Sequence, residues 1–281
     1  MGYFIFDDTS CELGESAVWI EARQSFVWLD ILSRKLFEKS VLGSASTSIH
    51  KLQYTASAIL IPFGEAGAVV LLVANNGVYE FNLDTGISFV KYSYNLPDTH
   101  RTNDAGLDSI GRIVFGVMEW EPSGLNGWVS RINLNGTIET LIEKIGIPNT
   151  FVWPEDGSVI YFADSYIQTM FHAEYSGVTS SRHELFSLSN GATPDGSAIE
   201  NGFLYNAEWG GWRVTKRRLH DGKLVADFKL PVPQPTSCAV AGNKILVTTA
   251  SVGLTDIEMK QFPCSGKTFL VSLDEFEIGA V

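Results

Sequence analysis

Short apolar runs recur along the chain at nearly constant spacing, each preceded by turn-forming residues. They occupy residues 26–30, 69–73, 113–117, 159–163, 203–207 and 245–249, so successive runs begin 43, 44, 46, 44 and 42 residues apart. Runs of this length, rich in Val, Ile, Leu, Phe and Tyr and bounded by Gly, Asp, Asn and Ser, have the composition of strands joined by hairpins. A further strand rich in Tyr, Phe or Val is predicted after most of them, over 36–39, 77–83, 127–134, 169–175, 212–219 and 268–273. No long stretch keeps the 3.6-residue period of an amphipathic helix.

A repeat in the forties with about four short strands per unit is the pattern of a propeller blade. The chain is therefore expected to be all-β: a six-bladed β-propeller with four-stranded antiparallel blades around a central channel, one domain over residues 1–281. The competing all-β solutions are a sandwich or a pair of small β domains, but no Pro/Ser-rich linker divides the chain. The apolar segment Tyr3-Phe4-Ile5-Phe6 precedes the first unit. It is expected to add an outer strand to the last blade and so close the ring, because an open ring would leave sheet edges unpaired.

Composition narrows the partners. With 45% apolar and 19% charged residues the chain can bury a large core. A net charge of −12 argues against nucleic acid and anionic membrane surfaces. No apolar run approaches the ~18 residues of a membrane span, and the first ten residues lack the basic and apolar regions of a signal peptide. Cys11, Cys238 and Cys264 are too few and too scattered for a disulfide framework or zinc knuckle and are expected to be free thiols. A cytoplasmic location is expected.

Small polar residues occupy one phase of the repeat, just before each apolar run. They are Glu15, Ser57, Asn103, Asn149, Asp195 and Ser237, with steps of 42, 46, 46, 46 and 42 residues. In a propeller this phase belongs to the innermost strands, where converging polar groups are costly unless they bind something. The carboxylates and amides among them suit a hard divalent cation such as Ca²⁺, Mg²⁺ or Mn²⁺, and zinc is not excluded. The plainer alternative is that such residues only cap strands or form Asx turns. Arg101 lies two residues from Asn103 and would share its strand face, where it could hold a carboxylate, hydroxyls or a developing oxyanion. Glu119 and Glu121 are likewise two apart, just past the run ending at Val117, with solvated surface acids as the alternative. The five histidines show neither metal-ligand spacing nor a common phase, and neither Ser57 nor Ser237 has the neighbours of a catalytic triad.

These residues fall in motifs that resemble the gluconolactonase/regucalcin (senescence marker protein) family. Leu13-Gly-Glu-Ser-Ala-Val-Trp19 with Phe26-Val-Trp-Leu-Asp-Ile31 is similar to its opening motif, and Arg101-Thr-Asn-Asp104 with Asp108, Gly111-Arg112 and Phe115-Gly-Val-Met118 to its second. Ile147-Pro-Asn149, Trp153, Asp156-Gly157 and Tyr161-Phe-Ala-Asp-Ser165 resemble the third. Pro194-Asp-Gly196, Gly210-Gly211 and Arg213-Val214 resemble the fourth, and Pro235-Thr-Ser-Cys238 the fifth. The resemblance implies a six-bladed propeller in which Glu15, Asn149 and Asp195 bind one divalent metal, with Ca, Zn, Mg and Mn all open. It also implies that Arg101, Asn103 and an acid at Glu119 or Glu121 contact substrate. Where the family usually has Gly after Arg-x-Asn-Asp, Thr before the Met and Gly-Leu after the metal-binding Asn, this chain has Ala105, Val117 and Thr150-Phe151.

The implied activity is metal-dependent hydrolysis of a small-molecule sugar lactone to its aldonic acid, a carboxylic ester hydrolysis. The metal would polarise the carbonyl, Arg101 would help stabilise the oxyanion, and Asp195 would be the general base toward water. Two alternatives use the same metal residues: a non-enzymatic calcium- or sugar-binding protein of regucalcin type, and a related metal-dependent esterase.

Overall fold

The computed structural model describes residues 2–43, 46–64, 67–175 and 181–278. It forms six four-stranded antiparallel sheets, the blades of a six-bladed β-propeller. Blade 1 runs Gly14–Ile20, Ser25–Asp30, Lys35–Ser40 and Ser48–Lys51, and blade 2 runs Ala56–Leu60, Val69–Ala74, Gly77–Asn82 and Ser88–Ser93. Blade 3 runs His100–Leu107, Ile113–Glu119, Gly127–Ile132 and Ile138–Ile145, and blade 4 runs Pro148–Val152, Val159–Asp164, Thr169–Glu174 and His183–Ser187. Blade 5 runs Thr193–Glu200, Phe203–Trp209, Arg213–Arg218 and Leu224–Lys229. Blade 6 takes Pro235–Ala241, Lys244–Thr249 and Thr268–Ser272 from the C-terminal part and its outer strand, Tyr3–Asp7, from the other end of the chain.

Two compact units contain these blades. Met1–Gln53 with Asn190–Val281 carries blades 1, 5 and 6, and Tyr54–Ser189 carries blades 2, 3 and 4. Within each unit the first strands of successive blades lie side by side. The repeated apolar runs are the second strands. Each has a hydrogen-bonded strand on both sides and is buried on both faces, as in Ser25–Asp30, where every residue is buried. A strand covered on both faces has no solvent side to encode, so it reads as a continuous apolar run instead of an alternation.

Aromatic residues fill the space between sheets. In one unit Phe6, Phe26, Trp28, Phe37, Leu246 and Leu270 form one cluster, with the Trp28 and Phe37 rings stacked 5.3 Å apart. In the other, Val114, Val129, Phe151 and Phe162 are packed together. One helix, Asp256–Gln261, lies in the connection before Thr268. It is too short to show a helical period, but Thr255 and Glu258 satisfy each other's backbone N–H in a capping box. No helix among the described residues is long and apolar enough to cross a membrane.

The N-terminal strand closes blade 6 as its position in the repeat predicts, pairing Tyr3 with Val271 and Asp7 with Thr268. Phe6 packs edge-on against Phe26 with ring centroids 5.7 Å apart, and the Phe6 carbonyl accepts from Lys39 Nζ at 2.6 Å. Burial works against ionisation of Asp7, but hydrogen bonds from Thr47 and Thr9 and the charge of Lys39 outweigh it and hold the carboxyl below its ordinary range. That stabilisation is present above the unfolded carboxyl's pKa and is lost as pH falls through the lower folded value. Phe6→Ala is expected to cost about 3 kcal/mol and to lower Tm by about 6–12 °C, and deletion of residues 1–7 to lower it further. In acid titrations followed by circular dichroism, Asp7→Asn should flatten the loss of stability below about pH 4.

Candidate functional site

The polar phase of the repeat coincides with a bulge in the first strand of every blade. Pairing slips between Glu15 and Val18, Ala56 and Ala58, Thr102 and Ala105, Asn149 and Val152, Pro194 and Ser197, and Pro235 and Ser237. An extra residue breaks the two-residue alternation of a strand and re-aims the side chains beside it. Bulges are frequent next to functional sites for that reason.

In the unit holding blades 1, 5 and 6, Ser16 N donates to Glu15 Oε2 at 3.2 Å, with Ser16 at φ 51°. Gly196 N donates in the same way to Asp195 Oδ1 at 3.1 Å, and Asn206 Nδ2 donates to the Asp195 carbonyl at 2.7 Å. Asp195 is buried. Ser237 instead ties two blades together, its Oγ accepting from Ala17 N on blade 1 at 3.3 Å. Its neighbour Thr236 donates to the Gly14 carbonyl. Blades 5 and 6 approach so closely here that a Cβ on Gly196 would stand 2.8 Å from Ser237 Cβ.

In the unit holding blades 2, 3 and 4, Ser57 Oγ donates to Thr102 Oγ1 at 2.7 Å. Arg101 and Asn103 come together, Arg101 Nη1 donating to Asn103 Oδ1 at 2.9 Å and to the Thr102 carbonyl at 3.0 Å. The guanidinium is 5.6 Å from the centre of the Trp120 ring, and Asn103 Nδ2 reaches across to the Pro148 carbonyl of blade 4 at 3.0 Å. Asn149 is buried, its Nδ2 donating to Ser165 Oγ at 3.4 Å and its Oδ1 accepting from Thr150 N at 3.1 Å. Asp104, next to Asn103, accepts from Ala105 N and Thr150 N, both at 2.8 Å. Burial pushes its carboxyl up to about 6 against the pull of those two N–H groups. The strand motif contains Asp104, but only the fold shows that it fastens the residue after Asn149.

The two acids near blade 3 do not share a strand face, contrary to their spacing. The strand ends at Glu119, whose Oε2 takes Ser123 N at 2.9 Å, Ser123 Oγ at 2.9 Å and Asn126 Nδ2 at 3.1 Å. Those bonds turn the chain, and the Ser123 N–H first among them holds the Glu119 carboxyl below its ordinary range. Glu121 lies beyond the strand and is exposed. All three cysteines are free, with burial pushing the Cys11 and Cys238 thiols up to about 12.

Glu15 and Asp195 carry carboxylates and Asn149 an amide oxygen, donor types that hard divalent cations take. Each oxygen occupies the equivalent bulge position of its own blade and has its direction set by the next residue's N–H. Among the described residues no three His, Cys, Asp or Glu side chains gather as a metal cluster.

The sequence model of the family described as "SMP-30/Gluconolactonase/LRE-like region" matches residues 13–251. The chain is similar to an L-arabinolactonase of Azospirillum brasilense, 30% identical over 271 residues that cover 94% of this chain and 89% of that protein. It is similar to regucalcin of Sus scrofa, 27% identical over 277 residues that cover 94% and 91%. Its fold matches the crystal structure of a calcium-binding protein, regucalcin, from Agrobacterium tumefaciens, with a TM-score of 0.88 at 24% identity over 96% of this chain and 93% of that one.

The close approach at Gly196 gives a direct test of how tightly the bulges are held. Gly196→Ala is expected to cost about 1–3 kcal/mol by forcing blade 6 away, read as a lowered urea midpoint with unchanged slope.

Proposed function

Because the chain belongs to the SMP-30/gluconolactonase/LRE-like family, we propose that it is a sugar lactonase, opening an aldonolactone to the aldonic acid with the help of one divalent metal. The observations that carry this reading are the equivalent bulges at Glu15, Asn149 and Asp195 and the hydrogen bond that already joins Arg101 to Asn103. The L-arabinolactonase relative supports a sugar lactone as substrate class. The three free thiols suit a reducing cytoplasm.

Glu15, Asn149 and Asp195 would hold the cation, whose chemistry there is Lewis acidity toward the lactone carbonyl. Asp195 takes a proton from the attacking water as its oxygen bonds to the carbonyl carbon. The ester C–O bond then breaks, and the ring oxygen leaves as a hydroxyl by taking up the proton that Asp195 had accepted. Arg101 offers a fixed fork of N–H donors to the developing oxyanion, and its orientation is set in advance by Asn103 and Thr102. Asn103 and Glu121 bind sugar hydroxyls. Glu121 takes this role over Glu119, whose Oε2 already accepts three hydrogen bonds from Ser123 and Asn126.

Asp195→Asn is expected to lower kcat for aldonolactone hydrolysis by about 10²–10⁴-fold. Chelation should abolish activity and one added divalent metal should restore it. Arg101→Lys keeps the charge but loses the fork, and should lower kcat/KM by at least tenfold. Full activity in Asp195→Asn, measured by acid release from gluconolactone, galactonolactone, xylonolactone and arabinonolactone, would overturn the mechanism. A chain that binds metal yet releases no acid from any of the four would favour a regucalcin-type binder, and a higher rate on aryl esters the esterase.

A further inference from the structure

Thr150 stands in a backbone conformation that its side chain disfavours. Its φ is +53°, in the left-handed region, where a β-branched residue is an outlier. Among the described non-glycine residues with positive φ it is the one β-branched side chain, and it is almost fully buried, at 1% exposure. Some specific contact has to hold it there. The Thr150 N–H is shared between Asn149 Oδ1 at 3.1 Å and Asp104 Oδ2 at 2.8 Å. The second oxygen of Asp104 takes its own neighbour's N–H, from Ala105, at 2.8 Å. Both oxygens of the carboxylate thus grip backbone, one on blade 3 and one on blade 4.

We propose that Asp104 is a positioning residue: its carboxylate holds the Asn149–Thr150 peptide in the left-handed bulge and thereby fixes where the Asn149 side-chain oxygen points. The inference rests on the reading of Asn149 as a metal ligand. A charged acceptor makes a stronger hydrogen bond than a neutral one. Asn at 104 would turn an N–H₂ toward one of the two backbone N–H donors and could accept only from the other. Glycine at 150 removes the need for the grip, because it adopts positive φ without steric penalty. The two positions should therefore be coupled, and a double-mutant cycle measures that coupling.

The test is metal affinity by titration calorimetry, with Ca²⁺, Mn²⁺ and Zn²⁺ each alone, on the full chain and on Asp104→Asn, Thr150→Gly, the double variant and Asn149→Ala. Lactone turnover and Tm without metal are measured on the same samples. Loss of a group that orients a ligand from behind typically weakens metal binding by about 10–100-fold, and that loss is expected for Asp104→Asn. Thr150→Gly should bind within about threefold of the parent. In the Thr150→Gly background, Asp104→Asn should cost less than about threefold. If Asp104→Asn misfolds alone, the double variant, freed of strain, still reports whether affinity survives without the carboxylate. Equal losses in both backgrounds, or a lowered Tm with unchanged metal affinity, would overturn the inference and leave Asp104 as a structural acid. If Asn149→Ala abolishes metal binding while Asp104→Asn does not, only the positioning role fails. If Asn149→Ala binds metal as the parent does, the metal reading fails and the inference falls with it.

Discussion

The first strand of every blade is hydrogen-bonded to a partner strand on one side only, and within each unit it lies beside the first strand of the next blade. A strand edge removed from water must find acceptors and donors elsewhere, because unpaired backbone groups cost about as much as the bonds they lack. Here polar side chains of adjacent blades supply them. Ser237 accepts from Ala17 N and Thr236 donates to the Gly14 carbonyl in one unit. In the other, Asn103 donates to the Pro148 carbonyl, Asp104 accepts from Thr150 N, and Asn75 accepts from Thr102 N. Polar residues at this phase are therefore demanded by the architecture before any ligand is considered.

This changes what the polar repeat means. Convergence of six polar side chains would be hard to explain without a ligand, but several of them have structural roles. Ser57 and Ser237 are tied to the next blade and offer little to a substrate. Asn103 does both, stitching to Pro148 through its nitrogen while its oxygen orients Arg101. Glu15, Asn149 and Asp195 differ from all of these in having a side-chain oxygen held by the following N–H, which sets direction while leaving further acceptor capacity on carboxylate or amide. The bulge produces that arrangement, since it lets a polar side chain and its neighbour's N–H turn toward each other inside a continuous sheet.

Much of the architecture was legible because second strands are buried on both faces and are largely apolar. That condition repeats every 42 to 46 residues and survives sequence divergence between blades. Strand ends fall within a residue or two of the predicted ones, as with Gly127–Ile132 against an expected 127–134. The N-terminal strand was legible from the unpaired edge it had to cover. The bulges were not, because an added residue changes register without changing composition. For the same reason Glu119 and Glu121, two apart in sequence, do not stay on one face once Ser123 draws Glu119 into a turn. The left-handed Thr150 was hidden more deeply, since threonine argues locally against the conformation it adopts. Only the neighbouring blade, through Asp104, explains it.

Arg101 has a definite use under the lactonase reading proposed above. It is buried to 9% exposure, with its guanidinium over Trp120 and two of its hydrogen bonds spent on orienting it toward Asn103. In lactone opening, negative charge develops on the carbonyl oxygen during attack, and the product is a carboxylate. A rigid, planar donor set is then stabilising where the reaction places charge. The same strand that satisfies its edge through Asn103 and Asp104 thus also orients the guanidinium proposed to meet that charge.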